Sequence, residues 1–324
     1  MAILEPYRKS RVSLLPIVSV ISCAVATTMM CFLTVGVRPQ GRREIVSDDF
    51  TNPRPTPTPK PARIFGGLGG ISSVRTNPAP VPKHYRLAAS SSPGALPLKA
   101  ADTIEQLGIT LWRLRPAGKV ESGQRMLIRE NNNSSEWIPE RIEIDTPLRS
   151  GDRLRLSIES PRKGYLYVVD RDLYADGKPG DAMLIFPTRS MHGGDNQVRA
   201  GKLIDLPAQD DDPSYFTARP KRSDQVGKIL TIIVTSASLD LAIGDQPLLL
   251  SATDIAKWER DWGSENERFE MIGGTGKSWT REEKEATEGT RQLTRDDPPP
   301  QTIYRIASTN KTTFLINIRL RYDR

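Results

Sequence analysis

Cysteine and histidine are nearly missing from this chain. Its two cysteines, Cys23 and Cys31, both fall in an N-terminal apolar segment. The rest is thiol-free, which leaves no disulfide framework and no thiolate metal site, and such a domain tolerates an oxidising compartment. The two histidines are His84 and His192. Histidine-based general-base chemistry or zinc ligation therefore has almost no raw material.

Basic charge is also missing where a nucleic-acid binder needs it. The net charge of +7 divides unevenly: residues 1–100 hold 13 Lys/Arg and 4 Asp/Glu, a balance of +9, and residues 101–324 hold 33 and 35, a balance of −2. The excess sits on the N-terminal part, where it suits a membrane surface. No basic globular face remains for a duplex, which excludes nucleic acid as a partner.

What is present begins with an anchor pattern. No charged residue lies between Arg11 and Arg38, and Leu14–Val37 is 24 residues of mostly apolar sequence. As a helix it would span ~36 Å, enough to cross a bilayer with some tilt. Arg8, Lys9 and Arg11 favour a cytoplasmic N-terminus for residues 1–13, although Arg38, Arg42 and Arg43 flank the other side. Ala24-Val25-Ala26 has the form of a signal-peptidase site, and Val20-Ile21-Ser22-Cys23 that of a lipid-attachment box. Either cut leaves an apolar remnant to Val37, whereas an uncut single span accounts for the whole run. The expectation is an inner-membrane anchor with the C-terminal part in the periplasm or extracytoplasmic space. Residues 38–100 read as a disordered linker: Pro53–Pro61 alternates proline with polar residues, a semi-rigid polyproline spacer.

From about Ala101 strand patterns dominate. Arg153–Glu159 alternates, with Leu154, Leu156 and Ile158 inward and Arg153, Arg155 and Ser157 outward. Thr313–Tyr322 does the same, with Phe314, Ile316, Ile318 and Leu320 inward. Lys228–Thr235 is apolar on both faces, as a central strand is. Thr302–Ala307 and shorter pieces around Leu111, Leu127, Leu203 and Phe216 complete the set. The fold class is mainly β, an antiparallel β-sandwich over 101–324 with one or two short helices. The helices are placed at Thr253–Trp262, with Thr253 as cap, and at Thr280–Thr287, where Thr280 and Glu283 have capping-box spacing. Residues 263–300 are very polar and read as a surface insertion.

The densest signal is Gly164–Thr188, in which apolar runs at Tyr165–Val169 and Met183–Phe186 flank an acidic, glycine-bearing stretch. That pattern writes a β-hairpin with a long polar connection, over 170–182. Leu107–Pro116, Pro139-Glu140-Arg141, Gly151-Asp152-Arg153, Glu159-Ser160-Pro161, this block, Gly194-Asp195-Asn196, Ala200-Gly201, Lys257-Trp258-Glu259 and Pro300–Tyr304 follow in order. Together they resemble the bacterial family called domain of unknown function 4384, over roughly residues 105–324. The resemblance implies an exported or envelope-associated β-rich domain and carries no catalytic residues with it.

Candidate sites are few. Asp170, Asp172, Asp176, Asp181 and Asp195 offer oxygen ligands of the kind calcium takes, although the spacing misses the EF-hand loop, and turn-making is the plainer reading. No other cofactor is implied. Gly273–Ser278 ends like a phosphate-binding loop, but Met271 stands where its first glycine belongs and Asn266–Ile272 is too charged for the strand before it, which excludes a nucleotide. His192 and Asp210-Asp211-Asp212 read as exposed polar surface. Tyr165, Tyr167, Trp258, Trp262 and Trp279 suit core packing better than a sugar platform. Two functions remain open. One is a non-enzymatic interaction module with an envelope protein partner, contacting it through Tyr174, Asp176 and Lys178 at the hairpin tip or through 263–300. The other is a carboxylate-dependent hydrolase or carbohydrate-active enzyme, with a sugar- or peptide-binding module between them.

Overall fold

The computed structural model describes residues 47–58, 85–89, 103–118, 123–130, 133–308 and 312–323. The apolar run 14–37 and most of the proposed linker lie outside them. Among the described residues no helix is long and apolar enough to cross a membrane.

Among the described residues fifteen strands follow in chain order: β1 (Leu87–Ala89), β2 (Thr103–Pro116), β3 (Met126–Glu130), β4 (Asn133–Ile142), β5 (Arg153–Glu159), β6 (Gly164–Tyr174), β7 (Ala182–Phe186), β8 (Gln197–Val198), β9 (Ile204–Leu206), β10 (Phe216–Thr217), β11 (Gln225–Thr235), β12 (Leu248–Leu250), β13 (Glu265–Met271), β14 (Thr302–Ser308) and β15 (Thr313–Arg321). Two helices, α1 (Ala252–Trp262) and α2 (Arg281–Thr287), flank β13. The strands form two antiparallel sheets. One runs β1-β13-β14-β2-β4-β3, with β5 joining β2 to β9 and β10. The other runs β12-β7-β6-β11-β15, with β8 on β6.

Alternation dictates how the sheets meet. Leu107, Ile109 and Leu111 of β2 and Leu154, Leu156 and Ile158 of β5 share one apolar core with Val168 of β6, Ile232 of β11 and Phe314, Ile316 and Ile318 of β15. The inward set expected for 313–322 is therefore buried, with Asn317, Arg319 and Arg321 exposed between its members. The second sheet is covered on its other face too: Tyr167, Val169, Ile233 and Leu315 pack with Ile255 of α1, and Trp258 and Trp262 close over them. Burial on both faces is why Ile229, Leu230, Ile232, Ile233 and Val234 of β11 are apolar on either side of the strand. Helix α1 starts one turn-position earlier than expected, because Ser251 and not Thr253 caps it by accepting from the Asp254 N–H. Thr280 and Glu283 form the expected capping box on α2.

The largest departure concerns the outer face of the first sheet. Strand β5 reads as half-buried, yet Arg155 is 0 % exposed and Ser157 and Glu159 are each 1 % exposed. Polar residues there are covered rather than solvated, because each finds a partner on a neighbouring strand or on a covering segment. Arg155 pairs with Asp205 of the adjacent strand β9 and donates to the Ser214 carbonyl at 2.5 Å. Ser157 donates to Asp205 at 2.7 Å and accepts from the Trp112 indole at 2.8 Å. Glu159 takes both arms of Arg54, at 2.9 and 2.7 Å, and the Gly201 N–H at 3.0 Å. Arg141 of β4 pairs with Glu283 of α2 in the same manner. Alternation alone reports polarity, not whether a second layer supplies counter-charges.

Two pieces of the expected spacer belong to this layer, which corrects the linker reading at 47–58 and 85–89. A helical turn at 47–51 places Phe50, fully buried, against Leu87, Phe269, Met271 and Ile303. Gly108 makes room for it: a Cβ there would meet Phe50 at 2.5 Å and Pro300 at 2.2 Å. Arg54 then enters between β5 and 294–298, donating also to the Asp297 and Pro298 carbonyls at 3.0 and 3.1 Å. Strand β1 extends the sheet on β13. The insertion reading of 263–300 is corrected likewise. Strand β13 lies between β1 and β14, and Trp279 is 2 % exposed, packed edge-on against Trp112 at 6.3 Å. The charges of β13 hid it, since Arg268 is held by Asp145.

Removing Arg54 strands a fully buried carboxylate. Arg54→Ala is expected to cost about 3–5 kcal/mol in urea unfolding, whereas Arg54→Met with Glu159→Leu costs much less because the charge leaves with its partner. A single variant as stable as the parent would show that 47–58 does not hold the fold.

Candidate functional site

The structure separates the acidic residues of the hairpin. Strand β6 runs on to Tyr174, so the connection is 175–181 and not 170–182, and Asp170 and Asp172 sit within the ladder. Lys228 of β11 reaches both, at 2.5 and 3.0 Å. Burial pushes Asp172 up, but the hydrogen bond and charge of Lys228, with Lys221, outweigh it and its pKa is lowered. Asp176 shapes the tip by accepting the Lys178 N–H at 3.0 Å, and Asp195 accepts the Gln197 N–H at 3.0 Å while pairing with Lys202 at 2.8 Å. Among the described residues no three acidic, histidine or cysteine side chains gather into a metal-ligating group. The calcium candidates are thus dispersed, with Asp181 exposed on the connection. Of the expected contact surface, Asp176 and Lys178 project into solvent, and Tyr174 lies half-buried beneath the Arg222 guanidinium at 4.4 Å.

The turn at Gly273–Ser278 serves the sheet. Its Gly276 N–H donates to the Arg141 carbonyl and its Lys277 carbonyl accepts from the Arg141 N–H, at 2.8 and 2.9 Å. Gly273 and Gly276 have φ of 68° and 78°, the left-handed region where glycine is favoured. The Gly276 amide is engaged by β4, and the Gly274 and Lys277 amides bond to the Met271 and Gly274 carbonyls, so none of these three is free to cradle a phosphate.

Among the described residues a concave feature lies elsewhere, over the layer that covers β5. A cleft of about 870 Å³ opens between the 3-10 turn His192–Gly194, the 199–214 stretch and the end of α2 at 286–292, with Leu127 of β3 at its margin. That volume is within the range that encloses a small ligand or a peptide side-chain cluster. The buried pairs reach it through His192, because Asp205, held by Arg155 and Ser157, also accepts His192 Nε2 on its backbone oxygen at 2.8 Å. The His192 ring rests edge-on against Phe186 at 5.9 Å and its φ is 51°. This corrects the reading of His192 as merely exposed: it is half-buried and joins the cleft to the core.

Asp210 and Asp212 are exposed as expected, but Asp211 is half-buried and turns its carboxylate onto the Ala208 N–H at 2.6 Å. Burial raises its pKa against that hydrogen bond, and the neighbouring Asp210 charge raises it further. Five acidic side chains, Asp195, Asp210, Asp211, Asp212 and Glu288, line the cleft against three basic ones, Arg199, Lys202 and Arg291. The basic side chains are engaged within the fold: Lys202 with Asp195, Arg291 with Asp297 at 2.5 Å, and Arg199 with the Gln292 amide oxygen. Sequence reasoning singled out His192 and the 210–212 run separately. Nothing local links them to Glu288 and Arg291, which come from beyond position 280.

A second buried titratable group lies outside the cleft. Glu270 of β13 accepts from Thr302 at 3.0 Å and lies 3.6 Å from Arg268, whose guanidinium is engaged by Asp145. Its other oxygen has no hydrogen-bond partner. Burial therefore wins over the hydrogen bonds and the Arg268 charge, and its pKa is pushed up to about 7 from 4.5. A folded-state value above the unfolded one means that the folded protein holds the proton more tightly. The stabilisation is full below the unfolded value and fades as pH rises through the folded one. The melting temperature of the parent relative to Glu270→Gln is expected to fall between about pH 5 and about pH 7.5; parallel curves would contradict the assignment. No family model, curated protein or solved structure matches this chain.

Proposed function

We propose that the chain is a non-enzymatic binding module of the bacterial envelope, an antiparallel β-sandwich tethered through residues 14–37 and displayed outside the inner membrane. It uses the cleft between 192–214 and 286–292 to hold a protein partner. The tether rests on the uncharged run between Arg11 and Arg38 and on the concentration of basic charge before residue 101. The sandwich rests on two antiparallel sheets that share one core. Membership of domain of unknown function 4384 belongs to the same proposal and rests on the motifs between Leu107 and Tyr304.

The observation that carries the binding reading is how the cleft spends its polar groups. His192 uses Nε2 on the Asp205 carbonyl and Asp211 uses its carboxylate on the Ala208 N–H. Both bonds fix loop shape, whereas a nucleophile–base pair bonds side chain to side chain. The cleft is thereby a preformed, rigid concavity. A hydrolase draws support from one feature, the raised Asp211 carboxyl near His192.

Full-length protein carrying a photoreactive residue in place of Leu127 is expected to give a discrete adduct in intact cells, lost when Ala208→Trp fills the cleft. Protease added outside the inner membrane should remove the β-domain. Turnover of a glycan or peptide by purified protein, abolished by Asp211→Asn, would replace the binding reading with the hydrolase.

A further inference from the structure

We infer that the cleft accepts a basic, extended segment of a partner protein, laid along the outer edge of β3. This deepens the binding reading and rests on it. Three independent features of one place lead there: an unbalanced charge, an exposed apolar side chain and an open strand edge.

The charge comes first. Asp210 and Asp212 are exposed and form no ion pair among the described residues, and the nearest cation to Glu288 is Lys284 at 3.9 Å. Two of the cleft's three cations, Lys202 and Arg291, are held at 2.8 and 2.5 Å by carboxylates of the fold, which leaves Arg199 against four carboxylates, Asp210, Asp211, Asp212 and Glu288. What faces an incoming chain is therefore negative. Lysine or arginine is attracted there, while an acidic segment or a phosphodiester backbone is repelled.

The edge comes second. Strand β3 ends its sheet and pairs only with β4, so that among the described residues its other side presents unpaired backbone groups. A guest strand adding there would direct every second side chain to the face on which Leu127 lies. Leu127 is 47 % exposed between Met126 at 1 % and Ile128 at 0 %. It lines the same cleft as Asp210, Asp212 and Glu288. An alternating guest would thus set its apolar residues on Leu127 and reach the carboxylates with long basic ones. The edge supplies affinity without regard to sequence, and the charges supply selection.

The test compares peptides of about ten residues that alternate valine with lysine, with serine or with glutamate, measured by fluorescence anisotropy on the full-length protein in detergent. The lysine peptide is expected to bind at least ~10-fold more tightly than the glutamate one, with that preference lost in high salt. Asp210→Asn with Asp212→Asn should remove the preference without unfolding the protein, since both side chains are exposed. N-methylation of alternate backbone nitrogens should abolish binding if the guest adds as a strand. Equal affinity for all three peptides, or preference for glutamate, would overturn the charge selection while leaving a binding cleft in place. Failure of all three peptides overturns the inference, and failure of the Leu127 adduct as well would remove the binding reading beneath it. Oligomers of the protein alone, dispersed by the same double variant, would overturn the assignment to a separate partner in favour of a second copy of this chain.

Discussion

The outer face of β5 carries an arginine, a serine and a glutamate where a two-sheet domain ordinarily meets water, and the rest of the architecture follows from how those groups are kept dry. A buried guanidinium or carboxylate is tolerable only with a counter-charge and further hydrogen bonds. Arg155 obtains them from Asp205 and Ser214, and Glu159 from Arg54 and Gly201. Arg54 lies on 47–58, whereas Gly201, Asp205 and Ser214 all lie on 199–215. The polar face therefore dictates that 47–58, 199–215 and 293–298 lie against the sheet, and Arg141 with Glu283 adds α2. Such pairs do not make the fold more stable than an apolar interface of the same shape would. They fix which segments dock and in what register.

From that constraint comes the cleft. The covering segments are held at their bases by ion pairs and leave a gap where 192–214 and 286–292 diverge. Asp205 is central because its carboxylate completes the buried network while its backbone oxygen orients His192. The cleft is rigid for the same reason the layer is ordered. Its free charge is negative because the positive charges nearby have been drawn into holding the layer down.

The first level of this organisation is legible in the sequence. Phe314, Ile316, Ile318 and Leu320 announce their strand, Lys228–Thr235 announces a central one, and the Thr280–Glu283 spacing announces a capped helix, because one chemical preference decides each. The second level is not. Arg155 and Glu159 look solvated because alternation cannot show that Asp205 and Arg54 are waiting fifty and more positions away. Asn266–Ile272 looks too charged for a strand for the same reason, its Arg268 being satisfied by Asp145. Pro53–Thr58 looks like spacer because the repeating prolines outweigh the single arginine among them. The cleft assembles Asp211, His192 and Glu288 from three separate stretches, so only the fold reveals it. The hairpin aspartates mislead in the opposite direction: Asp170 and Asp172 look like ligands and serve as partners for Lys228.

The most direct test of this account is regional hydrogen exchange in an Arg155→Met, Asp205→Leu variant, in which the charges leave together and the apolar core is untouched. If the buried polar face positions the covering layer, amides at 199–215 and 286–292 exchange faster than in the parent. Those of β11 and β15 stay as protected as before. Unchanged protection across the layer would mean that apolar packing alone holds it in place, and the central claim would fail.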